Sequence, residues 1–148
     1  MWSLAATVFG VGRSPVAPGT VASLVSLPIA WIVMAYGGPF ALLALGGTVF
    51  IFGLWASEVY AVQQGNSDPS ECVIDEVAGQ FVACALAPLS IAGFAAAFVL
   101  FRLFDISKLW PVSAAERLPG GLGIMTDDLV AGLFAGAIVA VFVSVGLL

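Results

Sequence analysis

Apolar residues along this chain fall in long unbroken runs, with polar and charged positions gathered into short clusters between them. From Ser14 to Ser57 there is no charged residue. That run predicts two helices, roughly Thr20–Tyr36 and Phe40–Tyr60, joined by Gly37-Gly38-Pro39. Pro28 would kink the first, a distortion that neighbouring helices can absorb. Asp68-Pro69-Ser70-Glu71 then reads as a helix start, with Asp68 as N-cap, Pro69 at the first helical position and Glu71 completing a capping box. Asp75 and Glu76 are expected in the second turn of that helix, and they open an uncharged run lasting to Phe101. Ala87-Pro88-Leu89-Ser90, with Ser90 as another N-cap, divides the run. The division gives helices from Pro69 to Ala87 and from Ile91 to Leu109. Each would be ~28 Å long at about 1.5 Å per residue, close to the hydrocarbon thickness of a bilayer.

The flanks are shorter and more irregular. Met1 to Gly10 is apolar but falls short of the ~20 residues a spanning helix needs. It is expected to lie at a membrane interface, with Trp2 as an anchor. It lacks the basic region and cleavage site of a removed signal peptide. The prolines and glycines between Gly10 and Thr20 forbid a regular helix. That loop either turns the chain into the first helix or offers its N–H groups, beside Arg13, to a phosphate. Pro111 is expected to stop the fourth helix. Ser113 to Glu116 resembles a capping box on a short interfacial helix, which gives Glu116 and Arg117 structural roles. Thr126 is the expected N-cap of a last helix running from Asp127 to Leu148, in which Gly132 and Gly136 permit close helix contact.

Composition makes these membrane helices. The 148 residues are 61% hydrophobic and 9% charged, with a mean hydropathy of +1.14. Soluble domains run at about 45–50% apolar and about 25% charged. The expected fold is all-α: a polytopic integral membrane helical bundle forming one domain over residues 1–148, with an N-terminal interfacial segment. It has about five spans, or four if residues 77–101 cross once. The five-span version puts every charge on one face, including the basic residues Arg13, Arg102, Lys108 and Arg117. The positive-inside rule makes that face cytoplasmic. A net charge of −5 is not the basic footprint of a nucleic-acid binder. Cys72 and Cys84 form no CxxC pair, and with no histidine the usual structural zinc site is excluded. Both cysteines read as small apolar fillers.

The charged clusters carry the chemistry. Arg102, Asp105 and Lys108 are spaced i, i+3, i+6, within about a 120° arc of one helix. They either satisfy one another, or Asp105 serves a metal while Arg102 and Lys108 hold phosphate oxygens. Asp75, Glu76, Asp105, Asp127 and Asp128 supply enough oxygens for one or two Mg²⁺ ions. Asp127 and Asp128 would also suit the dipole of a helix beginning at Thr126. Absences narrow the reaction. No histidine is present for a phosphohistidine, no arginine lies six positions after a cysteine, and no aspartate precedes a glycine. Metal-assisted attack by water on a phosphate remains. A small transporter or ion pathway is the other class, but it would favour acids at mid-span rather than at helix ends.

Four blocks carry a family resemblance: Gly12-Arg13-Ser14-Pro15-Val16-Ala17-Pro18-Gly19-Thr20, Asp75-Glu76 with Gly79, Phe101 to Lys108, and Gly123 to Gly132. In this order, over nearly the whole chain, they resemble the phosphatidylglycerophosphatase A family. The resemblance implies a Mg²⁺-dependent enzyme of the bacterial inner membrane. It would convert phosphatidylglycerophosphate in the cytoplasmic leaflet into phosphatidylglycerol and phosphate. On this reading Asp75, Glu76, Asp105, Lys108, Asp127 and Asp128 are catalytic, the five acids among them holding metal. Arg13, Ser14, Thr20, Arg102 and Lys108 bind the substrate phosphate. Leu109 stands where the family usually has the first proline of Lys-Pro-Trp-Pro. Another lipid phosphate, such as phosphatidic acid, is the alternative substrate.

Overall fold

The computed structural model describes residues 2–67 and 69–148; Asp68, the expected N-cap, lies outside them. The order is α1 (Trp2–Ala6), a 3-10 turn at Val11–Arg13, α2 (Pro18–Gln64), α3 (Ile74–Ala85), α4 (Ile91–Ser107), α5 (Val112–Ala115) and α6 (Gly120–Ser144). No strand occurs among the described residues. Two helices, α2 and α6, are long and apolar enough to cross a membrane.

The long α2 is two helices joined at a break. Gly38 adopts φ 72° and ψ −174°, a backbone conformation open to glycine, and Pro39 restarts the helix. The break falls within the expected Gly37-Gly38-Pro39 joint. Neighbours reveal the path of the two halves. Gly19 packs against Glu76 at the start of α3, while Gly46 faces Ala78 and Val82, and Gly53 faces Ile74. The chain therefore leaves the first turn of α3, travels out to Gly38, and returns to the same level. Trp31 meets the Phe94 ring edge-on, 5.0 Å between centroids, which fixes the outer part of the first half against α4.

Helix α3 is the axis of the bundle. Every residue in it except Glu76 is buried, and α2, α4 and α6 all pack against it. Apart from Asp75, Glu76 and Gln80 its residues are apolar, which suits this enclosed position. It is also shorter than expected: its 12 residues span about 18 Å. The predicted start at Pro69 does not form. Residues 69–73 are irregular, and α3 begins after Val73 without a side-chain cap. Tertiary contacts override the capping box here. The Val73 N–H bonds to the Ala6 carbonyl at 2.9 Å, Gly12 packs on the Glu71 carbonyl, and the Glu71 carboxylate accepts a hydrogen bond from the buried Tyr60 hydroxyl. Asp75 and Glu76 consequently lie in the first turn of α3, not the second.

The expected division at Pro88 is present. α3 ends at Ala85, and Ser90 caps α4 by accepting the Gly93 N–H at 3.0 Å. α4 stops at Ser107, ahead of the predicted Leu109, because Lys108 turns into a left-handed conformation with φ 47°. Trp110–Pro111 is a cis peptide. α5 follows Pro111 directly, so Ser113 does not cap it. The last helix begins at Gly120, well before Thr126. Its start is capped from α2: the Gly121 N–H donates to the Glu58 carboxylate at 2.5 Å. Gly132 rests on the Gly79 carbonyl and Gly136 on Leu86, so these glycines do bring α6 close to its neighbours.

Candidate active site

Six charged side chains meet where the start of α3, the end of α4 and the second and third turns of α6 come together. Asp75 and Glu76 come from α3, Arg102 and Asp105 from α4, and Asp127 and Asp128 from α6. All six, with Lys108, line one cavity of about 290 Å³. The start of α2 closes another side through Ala17, Pro18 and Gly19. Gly19 lets the backbone approach closely there, since a Cβ would displace the Glu76 carboxylate. The acids are deeply enclosed, with Asp75 8%, Asp105 9%, Asp127 4% and Asp128 2% exposed.

Within this group the acids divide into two kinds. Asp75, Glu76 and Asp128 can each point one oxygen so that the three lie within 4.8 Å of one another. Each also has a buried oxygen with no hydrogen-bond partner: Asp75 Oδ1, Glu76 Oε2 and Asp128 Oδ2. Burying an ionised carboxylate without a partner is costly, and a cation removes the cost. An all-oxygen anionic set fits a hard divalent cation. Asp75 and Glu76 are not helix caps, despite their position, because α3 has no side-chain cap bond. Asp105 and Asp127 instead face cations. Asp105 lies 2.5 Å from Arg102 Nη1, and Asp127 is paired with Lys108 Nζ. Glu76 also lies 3.8 Å from Arg102.

Arg102 keeps one donor in reserve: its Nε is buried and makes no hydrogen bond, whereas Nη1 is held by Asp105. Lys108 does not sit on the helical arc expected from its spacing. Its left-handed backbone swings the side chain from α4 toward α6, where it reaches Asp127 and lies 3.4 Å from Glu116. Partial burial works against its charge, but the hydrogen bond and negative charge of Asp127, with Asp128 and Glu116 beyond, outweigh that and raise its pKa.

Arg13, Ser14 and Thr20 do not line the cavity. Arg13 is exposed and lies within electrostatic reach of Tyr60, and Ser14 Oγ donates to the Val16 carbonyl at 3.0 Å. Ser70 and Cys72 do line it; the sequence reading gave Ser70 no role in the site and took Cys72 for an apolar filler. Their signal was only adjacency to Glu71, which the capping-box reading assigned to a helix.

A family model described as phosphatidylglycerophosphatase A matches residues 4–143. The chain belongs to the phosphatidylglycerophosphatase A family. Two relatives bearing that name are similar to it along most of their length. One, from Escherichia coli K12, is 36% identical over 140 residues, covering 93% of this chain and 80% of the relative. The other, from Haemophilus influenzae, is 36% identical over 138 residues, covering 92% and 85%. A Bacteroides thetaiotaomicron protein with the provisional name phosphatidylinositol-3-phosphatase is 37% identical over 146 residues, covering 93% and 91%. No solved structure matches the chain. In this member of the family, carboxylate oxygens without partners and an arginine Nε without an acceptor are buried around one cavity.

Proposed function

We propose that this chain is an integral membrane phosphatase that hydrolyses the terminal phosphomonoester of phosphatidylglycerophosphate to phosphatidylglycerol and inorganic phosphate. The observation that carries the reading is the shared cavity. Three carboxylates there have free buried oxygens, and Arg102, which also lines it, has a free buried donor at Nε. The family membership supports the substrate.

Asp75, Glu76 and Asp128 would hold Mg²⁺, which suits oxygen ligands and substrate phosphate better than nitrogen or sulfur sets. When bound, the ion supplies Lewis-acid stabilisation of phosphoryl charge. Arg102 and Lys108 hold the non-bridging phosphate oxygens. Asp105 orients the Arg102 guanidinium, and Asp127 orients the Lys108 ammonium. The start of α2 adds a favourable dipole for an anion at the cavity wall. The water oxygen bonds to phosphorus as the ester P–O bond breaks, and the proton that the water gives up ends on the released alcohol oxygen.

We assign five crossing segments: the two halves of α2, the α3–α4 hairpin and α6. The uncharged loops at Gly38 and Pro88 and the confinement of charge to the opposite ends support this. The short α3 is tolerable because protein, not lipid, surrounds its ends. By the positive-inside rule the site faces the cytoplasm, which puts a bacterial enzyme in the inner membrane acting on the cytoplasmic leaflet.

The test is phosphate release by the purified full-length protein in detergent micelles. Phosphatidylglycerophosphate, phosphatidylinositol 3-phosphate and phosphatidic acid are compared, each with Mg²⁺ and with a chelator. The expected result is Mg²⁺-dependent release, fastest from phosphatidylglycerophosphate. Faster release from the inositol lipid, or release unchanged by the chelator, would overturn the substrate or the metal assignment respectively.

A further inference from the structure

A second cavity, of about 330 Å³, adjoins the acidic one, and the two share Asp127. Ser67, Glu116, Leu118, Pro119 and Ile124 are among its walls. Lys108 stands on the partition, bonded to Asp127 on one side and 3.4 Å from Glu116 on the other. Gly120, at φ 59°, gives the wall backbone only, and a Cβ there would meet the Glu58 carboxylate that caps α6. The family reading leaves this space unused.

A phosphomonoester held by Arg102 and Lys108 must have its alcohol next to it. In phosphatidic acid that alcohol is the diacylglycerol itself. In a lipid whose phosphomonoester hangs from a polyol, the polyol comes first, and it carries hydroxyls. The neighbouring cavity offers such a group a carboxylate at Glu116, a hydroxyl at Ser67, and carbon surfaces at Leu118, Pro119 and Ile124. Its volume lies at the low end of the ~300–1,000 Å³ typical of small-ligand sites, which suits a head group and not acyl chains.

We infer that this second cavity is the subsite for the polyol bearing the phosphomonoester, with Ser67 and Glu116 reading its hydroxyls. The inference rests on the phosphatase reading above. Both residues are solvent-exposed, so the discrimination is moderate, unlike that of a sealed hydroxyl-binding pocket.

The experiment compares kcat/KM for phosphatidylglycerophosphate, phosphatidylinositol 3-phosphate and phosphatidic acid, using the full chain in detergent micelles. Leu118→Trp fills the cavity from a half-exposed position without altering a charge, and Ser67→Ala removes one hydroxyl. The expected result for Leu118→Trp is a roughly tenfold fall in the ratio of phosphatidylglycerophosphate to phosphatidic acid turnover, through a raised KM. Ser67→Ala should move the ratio the same way by a smaller factor. A parallel fall on the inositol lipid means that any polyol is read; a fall confined to phosphatidylglycerophosphate means that glycerol is. Equal losses on phosphatidylglycerophosphate and phosphatidic acid, or no change in either variant of an active enzyme, would overturn the subsite alone. A wild-type protein inactive on every lipid would overturn the phosphatase reading and the subsite with it.

Discussion

Gly132 of α6 rests directly on the backbone carbonyl of Gly79 in α3. Each glycine lies four residues, about one helical turn, beyond an acid of the three-carboxylate cluster, Asp128 and Asp75. The absence of side chains at this crossing lets the two helices approach until the carboxylates face a common point. Gly132→Val would push them apart. Overpacking of this kind costs about 1–3 kcal/mol of stability. Misplacing catalytic groups by about an ångström costs roughly 100-fold in rate, so activity should fall further than stability. Phosphate release and a thermal unfolding curve on the same sample check this; a fully active variant would sever the crossing from the site.

Magnesium dependence should separate the two kinds of acid. Asp75→Asn, Glu76→Gln and Asp128→Asn each remove charge from the group with unpartnered oxygens. They should lose most activity and recover part of it at raised Mg²⁺, since mass action offsets a weakened site. Asp105→Asn and Asp127→Asn disturb Arg102 and Lys108 instead. Their loss should appear as a raised KM that extra Mg²⁺ does not restore. A Mg²⁺ titration at several lipid concentrations distinguishes the patterns, and rescue shared by all five variants would show that the division is wrong.

Lys108 and Arg117 make a paired comparison. Lys108 reaches into the cavity, whereas Arg117 is exposed and outside it. Lys108→Ala should cost about 1.5–3 kcal/mol of transition-state binding, roughly 10- to 150-fold in kcat/KM. Arg117→Ala should stay within about twofold. Equal, mild losses would leave Lys108 as a structural partner of Asp127 and nothing more.

Labelling tests the proposed five crossings. With Cys72 and Cys84 replaced by Ala, cysteines introduced by Asn66→Cys and Ser113→Cys should react with an impermeant thiol reagent only from the cytoplasmic side. Tyr36→Cys and Leu89→Cys, near the uncharged loops, should react only from outside. Tyr36 is 91% exposed and Leu89 41%, so neither position is shielded by the protein itself. Labelling of Asn66→Cys and Ser113→Cys from opposite sides would rule out one shared site on one face.

The sequence by itself determined the helical class, the break at Gly37-Gly38-Pro39, the division at Pro88 and the Ser90 cap. Each follows from a local rule: long apolar runs, glycine and proline at a break, or a hydroxyl beside free N–H groups. It also marked Asp75, Glu76, Arg102, Asp105, Lys108, Asp127 and Asp128, because charge is conspicuous in a chain so apolar. Only the tertiary structure decided which of those residues pair with one another. Local capping rules placed the start of α3 at Pro69 and of α6 at Thr126. Contacts from distant segments moved both: Ala6, Gly12 and Tyr60 hold residues 71–73 out of the helix, and Glu58 caps α6 at Gly121. Spacing alone put Lys108 beside Asp105, but a left-handed residue turned it to Asp127. Periodicity describes one helix at a time, and which acid meets a basic side chain and which keeps an unpartnered oxygen depends on how helices far apart in sequence pack together.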